Sequence, residues 1–227
     1  MVNKLNDSKY MNNTKNGIIG ADEVGVGDYF GGIVTCAVFL DDELTQKISH
    51  LNIKDSKKLS IKQNIDLAKQ LITLIPYNAK IISPKQYNFL YNQYENAHVI
   101  KTYAHNNAIY RLKTRLNLTN IKVVLDEYAS KTNYQKYLKI LNEKNVAHID
   151  LFVQKAEEKY LAVACASIIA RYYFLVQIKD LSTTYHINIP LGCNKQKVEV
   201  ALNKLRINLK EQYQTKLKEI VKLHFKI

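Results

Sequence analysis

Tryptophan is absent from this 227-residue chain, and cysteine and proline occur only three times each. Cys36, Cys165 and Cys193 are odd in number and form no CxxC pair, which argues against a disulfide framework and a cysteine-built zinc site. Cys36 and Cys165 lie within apolar runs and read as small buried hydrophobes, suited to a reducing cytoplasm. No apolar run approaches the ~18 residues that cross a bilayer. The opening MVNKLNDSKYMNNTKNG has no hydrophobic core of signal-peptide length. The expectation is a cytoplasmic protein with no membrane association. Negative charge is also scarce: 20 acidic residues face 33 lysines and arginines, a formal net charge of +13. That excess favours a polyanionic partner, through an attraction that weakens with salt. The chain is also rich in Asn, Ile, Lys and Tyr, so a compositional bias of the genome is a second reading of the lysine excess. Hydrophobic content of 47% fits a folded chain, long enough for one sizeable domain.

Against this basic background, the few carboxylates that border apolar segments stand out. They are Asp22 and Glu23 in GIIGADEVGVGDYFGG, Asp126 in IKVVLDEY and Glu157 in VQKAEEKYLAVACASIIAR. Carboxylates beside apolar segments repel one another and lose hydration. A divalent cation reverses both penalties, because its charge is the largest in its surroundings.

The order of elements places these acids. Residues 1–15 read as a mobile tail and 16–227 as one domain with basic helices at its C-terminal end. Two β-branched runs, from Gly17 and over Gly32 to Leu40, are separated by glycines and predict an antiparallel pair. Ser60 is placed to cap a helix through IKQNIDLAKQLITLI, which Pro76 ends. AKIIS reads as a third strand, Pro84 opens a helix, and a longer helix covers Ala97 to Leu116. IKVVLDE and IDLFVQK read as strands, and Glu157 to Leu181 as a central helix. The fold class is therefore α/β, a mixed sheet with helices on its faces.

GADEVGVGDYFGG is not a dinucleotide fingerprint: its spacing is GxGxxxG, a strand follows, and Asp22-Glu23 would repel a pyrophosphate. Its glycines fit a sharp turn or a close approach of backbone to a ligand. Asp22 and Glu23 pose a geometric question, because adjacent strand residues point to opposite faces. Either the strand bulges so that both reach one site, or Asp22 faces it and Glu23 reaches around. Glu157 and Glu158 also suit a helix N-terminus, where the dipole favours negative charge.

ADEVGVGDYFGG, DSKKLS, AHNNAIYRL, VVLDEYAS, AEEKYLAVACASIIAR and VKLHFK, in this order from Gly17 to Lys226, resemble the type 2 ribonucleases H. The closest likeness is to ribonuclease HIII, for Glu157 (counted back from Ser167) matches its fourth acid and GDYFG its glycine loop. Val26 stands where ribonuclease HII carries arginine. The resemblance implies a ribonuclease H-like fold, a mixed five-stranded sheet flanked by helices with a helical C-terminal extension. It implies endonucleolytic cleavage of the RNA strand of RNA/DNA hybrids, with Mg2+ or Mn2+ as cofactor and 5′-phosphate and 3′-hydroxyl products. Asp22, Glu23, Asp126 and Glu157 become the catalytic and metal-binding residues. Two hard cations about 3.5–4 Å apart suit such chemistry, and carboxylate oxygens suit magnesium.

Substrate contacts are assigned to the backbone of Gly25, Val26 and Gly27, near RNA 2′-hydroxyls, and to Ser56, Lys57 and Lys58 at phosphate. Asn106 and Asn107 are placed along the phosphate track by resemblance, Ser167 reads as a phosphate contact or as packing near a helix, His105 as a packed or exposed histidine, and His224 as structural. The expected partner is a hybrid duplex bound by a monomer. Some features depart from the family. Ribonuclease HIII usually has an N-terminal substrate-binding domain, here only a short tail. Gly32 replaces a frequent proline, and Leu191 in PLGCN replaces a lysine. These changes bear on affinity more than on metal chemistry. Two other functions fit the residues: a hybrid-binding protein without turnover, and cleavage at single embedded ribonucleotides in the manner of ribonuclease HII.

Overall fold

A computed structural model describes residues 17–53 and 60–225. The tail over residues 1–15, and with it Ser56, Lys57 and Lys58 of DSKKLS, lies outside the described residues. The two β-branched runs form β1 (Ile18–Val24) and β2 (Ile33–Leu40), antiparallel, with Glu23 opposite Thr35. β3 (Tyr77–Ile82) continues antiparallel on β2 and begins two residues before the expected AKIIS. On the other side of β1, β4 (Lys122–Asp126) and β5 (Leu151–Val153) run parallel. The sheet is mixed and five-stranded, in the order β3-β2-β1-β4-β5. β5 is shorter than IDLFVQK because the chain turns at Lys155, whose φ of 53° is left-handed and ends the extended run.

The helices start where capping chemistry dictates. α1 (Asp42–Lys47) has Asp41 accepting from the Leu44 amide. α2 (Ile61–Leu74) and α3 (Pro84–Tyr94) open on Ser60 and Ser83, each in a capping box with a glutamine three residues on. Such a cap contributes about 1 kcal/mol. α4 (Ala97–Arg115) and α5 (Lys131–Leu141) follow, and then α6 (Leu161–Tyr185), α7 (Lys195–Leu209) and α8 (Tyr213–Leu217). Glu157 does not belong to the central helix, contrary to expectation. It sits in a 3-10 turn, Ala156–Glu158, and the helix starts only at Leu161.

Period-2 alternation gives the sheet two buried faces. Ile18, Val34, Cys36, Val38 and Val124 pack under α6, while Ile19, Ala21, Ala37, Val123 and Leu125 pack on the α4 side. α6 lies against β1 at Gly20, where a Cβ would come 2.3 Å from the Val163 amide nitrogen. The expectation that no segment is long and apolar enough to cross a membrane is corrected here. α6 has 25 residues and a mean hydropathy of 1.7 over its best window. Its first ten residues are apolar on nearly all sides because they form the buried core segment, with Ala162, Cys165, Ala166 and Ile169 fully enclosed, while Arg171, Lys179 and Asp180 beyond them are exposed.

Candidate active site

Alternation along β1 separates Asp22 from Glu23. Asp22 belongs to the face covered by α6 and takes a hydrogen bond from the Ser167 side chain of that helix. Its Oδ1 also accepts the Glu23 amide at 2.7 Å. Glu23 lies on the α4 side, where Lys101 Nζ reaches Oε1 at 3.3 Å and His105 Nε2 meets Oε2 at 2.8 Å. Of the two geometries open for this pair, the structure shows no bulge, since the β1–β2 register runs unbroken through Val24. The two side chains flank the strand, and their carboxylates act on each other through their charges.

Asp126 ends β4, one residue beyond Leu125, which pairs with Ala21 of β1. It therefore stands beside Asp22. Its Oδ1 accepts the Ala156 amide at 2.7 Å, which draws the 3-10 turn onto the strand end and brings Glu157 beside Asp126. Glu157 is half-buried while Glu158 is exposed. All four predicted carboxylates thus converge on one end of the sheet.

Their electrostatics differ. Burial pushes the Asp22 carboxyl well above the usual range, and the charges of Glu23 and Asp126 add to it. Asp126 is raised by its own burial, then by Glu157 and Glu23, against the Ala156 hydrogen bond. Burial pushes Glu23 up as well, but His105 and Lys101 outweigh it and hold the carboxyl below its ordinary value. Among the described residues, no group of three or more His, Cys, Asp or Glu side chains stands close enough to hold a metal ion. The donor chemistry nonetheless fits a hard cation: the oxygens belong to carboxylates, and two of them carry the burial and like-charge penalties that a cation removes.

The glycine loop is held from a distance. Gly25 has φ of 97° and closely approaches the Phe174 ring and the Gly32 carbonyl, so no side chain fits there. Val26 packs against the Ile33, Ile82, Tyr87 and Ile100 cluster, and Gly27 is exposed to open space. The Gly192 amide donates to Asp28 Oδ1 at 2.5 Å, and the Gly32 amide to Gln177 Oε1 at 2.5 Å. Lys222 is fully buried and donates Nζ to the Gly31 carbonyl at 3.0 Å and to that of Asp28. That burial lowers its ammonium to about 7. His224 stacks on Tyr91 with ring centroids 4.2 Å apart, the structural role expected of it.

Asn106 departs from its expected place on the phosphate track. It is buried, its Nδ2 donates to the Asn145 carbonyl and its Oδ1 accepts the Ala147 amide, both at 2.8 Å. Both ends of the amide are engaged in fixing the segment before β5, and its burial keeps the remaining N–H away from a duplex bound at the surface. Asn107 is half-buried on α4, and Ser167 is directed at Asp22. Sequence reasoning missed Lys101 as a partner of Glu23 and passed over His105 as a packed or exposed histidine. The i, i+4 spacing of these two residues, which puts them on one helix face, was the available signal.

A sequence model of the ribonuclease HII family matches residues 19–227. The chain is 40% identical over 209 residues to ribonuclease HIII of Ureaplasma parvum, covering 92% of this chain and 65% of that protein. It is 41% identical over 212 residues to ribonuclease HIII of Phytoplasma mali, covering 92% and 70%. The chain thus spans about two thirds of the length of these relatives. Among solved structures, Bst ribonuclease HIII in complex with Mn2+ superposes with a TM-score of 0.85 at 30% identity, over 93% of this chain and 67% of the other. The alternating carboxylates on a mixed sheet and the match over nearly all of its length place the chain in the ribonuclease HII family, among relatives named ribonuclease HIII.

Proposed function

We propose that the chain is an endoribonuclease that hydrolyses the RNA strand of RNA/DNA hybrids and leaves 5′-phosphate and 3′-hydroxyl ends. The observation that carries this reading is the convergence of Asp22, Asp126, Glu23 and Glu157 from β1, β4 and the 3-10 turn on one sheet end. Asp22, Asp126 and Glu157, with Glu23 from the other side of β1, would hold Mg2+ or Mn2+. Such ions, when bound, neutralise charge at phosphorus and lower the pKa of water. Ser167 orients the Asp22 carboxylate, and the Ala156 amide orients that of Asp126. The backbone of Gly25 to Gly27, anchored by Val26, Gln177 and Lys222, presents a rigid edge to the RNA 2′-hydroxyls, the groups that distinguish RNA from DNA. Ser56, Lys57 and Lys58 supply phosphate contacts, and the net charge of +13 draws the duplex in. Residues 16–227 work as one catalytic domain, as a monomer in the cytoplasm.

The test is a labelled RNA/DNA duplex incubated with Mg2+, Mn2+ or chelator. Cleavage in the RNA strand that depends on the cation, and is lost in Asp126→Asn with hybrid binding retained, is the expected result. Binding without any cut product in either cation would instead identify a hybrid-binding protein. A duplex with one ribonucleotide embedded in DNA is expected to be cut poorly compared with a longer RNA stretch.

A further inference from the structure

Glu23 has an occupied carboxylate before any cation arrives. Lys101 holds Oε1 at 3.3 Å and His105 holds Oε2 at 2.8 Å, in a pocket where Lys101 and His105 are 7% and 0% exposed. A buried ion pair kept only for structure has its polar atoms satisfied, since any left over are costly. This one does not. His105 Nδ1 and Thr35 Oγ1 are buried with no hydrogen-bond partner among the described residues. Thr35 lies directly across from Glu23 on β2, on the same face of the sheet. The lysine also has a second place for its charge. Its Nζ sits 4.1 Å from the centroid of the Tyr128 ring, a contact able to carry a cation. That ring is fixed in turn by its hydroxyl, 2.7 Å from Thr102 Oγ1, and by stacking on His105.

We propose that Lys101 is an internal competitor for the cation. Its ammonium occupies Glu23 Oε1 in the metal-free protein and yields that oxygen when a divalent ion binds, resting on Tyr128 while His105 keeps Glu23 oriented through Oε2. Lys101 is thus a positioning residue: it neutralises Glu23 when no metal is present and sets the affinity with which the site fills. The inference rests on the proposed function, because it requires that the carboxylates hold a cation at all.

The sign of one measurement separates this from a supporting role. Removing a residue that merely supports a metal ligand weakens metal binding by about 10–100-fold. Removing a competitor strengthens it. Mn2+ binding to the full chain, followed by electron paramagnetic resonance of the free ion, is expected to tighten on the order of 10-fold in Lys101→Met. Lys101→Gln, which keeps a donor without the charge and serves if the methionine variant does not fold, is expected to shift the same way by less. Lys101→Arg restores wild-type affinity. Unchanged or weaker Mn2+ binding in a folded Lys101→Met or Lys101→Gln protein overturns the proposal. The wild-type chain gives an independent readout. In its Mn2+-bound crystal structure, Glu23 Oε1 is expected on the ion and out of reach of Lys101 Nζ, and a retained ion pair beside bound Mn2+ overturns the competition. Wild-type protein that binds no Mn2+ overturns the reading of the site itself, with the competition falling as a consequence.

Discussion

Asp22 and Glu23 are consecutive residues of one strand, both largely enclosed by the protein, and their environments push them in opposite directions. Asp22 faces α6, which offers it the Ser167 side chain and no positive charge, so burial and two neighbouring carboxylates raise it. Glu23 faces α4, which offers Lys101 and His105, and these lower it. Depth alone therefore does not decide the behaviour of a carboxylate. The helix on its side of the sheet does, and a strand that alternates can pair a destabilised acid with a compensated one. The destabilised member gains most from a cation and the compensated member has to be released to one.

The comparison breaks most completely if the destabilised acid is neutralised. Asp22→Asn is expected to lower cleavage of an RNA/DNA hybrid in Mg2+ on the order of 10³-fold, the scale at which lost electrostatic stabilisation is felt in catalysis. Hybrid affinity measured in chelator should stay within a few-fold. Full turnover by this variant would remove Asp22 from the site. The next largest effect concerns the contact that brings α6 onto β1. A Cβ at position 20 would lie 2.3 Å from the Val163 nitrogen and 2.5 Å from the Ala162 carbonyl carbon, backbone atoms that cannot rotate away. Gly20→Val is expected to cost about 3 kcal/mol, at the upper end of overpacking penalties, as read by urea unfolding. A variant as stable as wild type would mean that the α6 face is more yielding than its packing implies.

The pH dependence sharpens the same contrast. Asp22 has a folded pKa above its unfolded value, so between the two the native state holds a proton that the unfolded chain has released. Stability from this group is then complete below the usual aspartate range and is lost as pH rises through the raised value. Glu23 has the opposite sign: its contribution is present above the usual glutamate range and is lost as pH falls through its lowered value. In chelator, Asp22→Asn should therefore gain on wild type as pH rises from 5 to 8, measured by urea unfolding at both pH values. Added Mn2+ should erase that gain by stabilising wild type alone. A pH-independent difference between the two proteins would contradict the buried, repelled state of Asp22.

How much of this could be read from the chain follows the range of each interaction. Ser60 and Pro84 announced their helices because the signals at a helix start are local. The β-branched alternation of IIGADEV and IVTCAVFL gave the strand pair, and the ordered acids pointed to the sheet end where the structure brings them together, because a strand end is where a buried run stops. Alternation even posed the question of where Glu23 points. The sequence could not answer it, for the answer depends on which helix crosses that face and which of its residues arrive there. Asn106 shows the same limit: a polar residue on a buried helix face can serve a ligand or a backbone, and only the position of residues 145–147 decides. Gln177 and Lys222 support the glycine loop from 145 and 191 residues away, beyond any local pattern.

Ser167 offers the finest cut between the two faces. By sequence it read as a phosphate contact or as packing near a helix, and in the structure its side chain is hydrogen-bonded to Asp22. That hydrogen bond lowers the Asp22 pKa against burial, so it favours the ionised form that a cation requires. Ser167→Ala deletes one oxygen from α6 and leaves the Glu23 amide as the remaining donor to Asp22 Oδ1 at 2.7 Å. The expected loss is about 10-fold in kcat/KM at limiting Mg2+, as for other residues that orient a metal ligand. Two controls tell orientation from phosphate binding. If Ser167 acts through Asp22, higher Mg2+ restores much of the rate and hybrid affinity in chelator does not change. If it contacts phosphate, hybrid affinity falls in chelator and extra Mg2+ recovers nothing, and the hydroxyl then belongs to the substrate track instead of to Asp22.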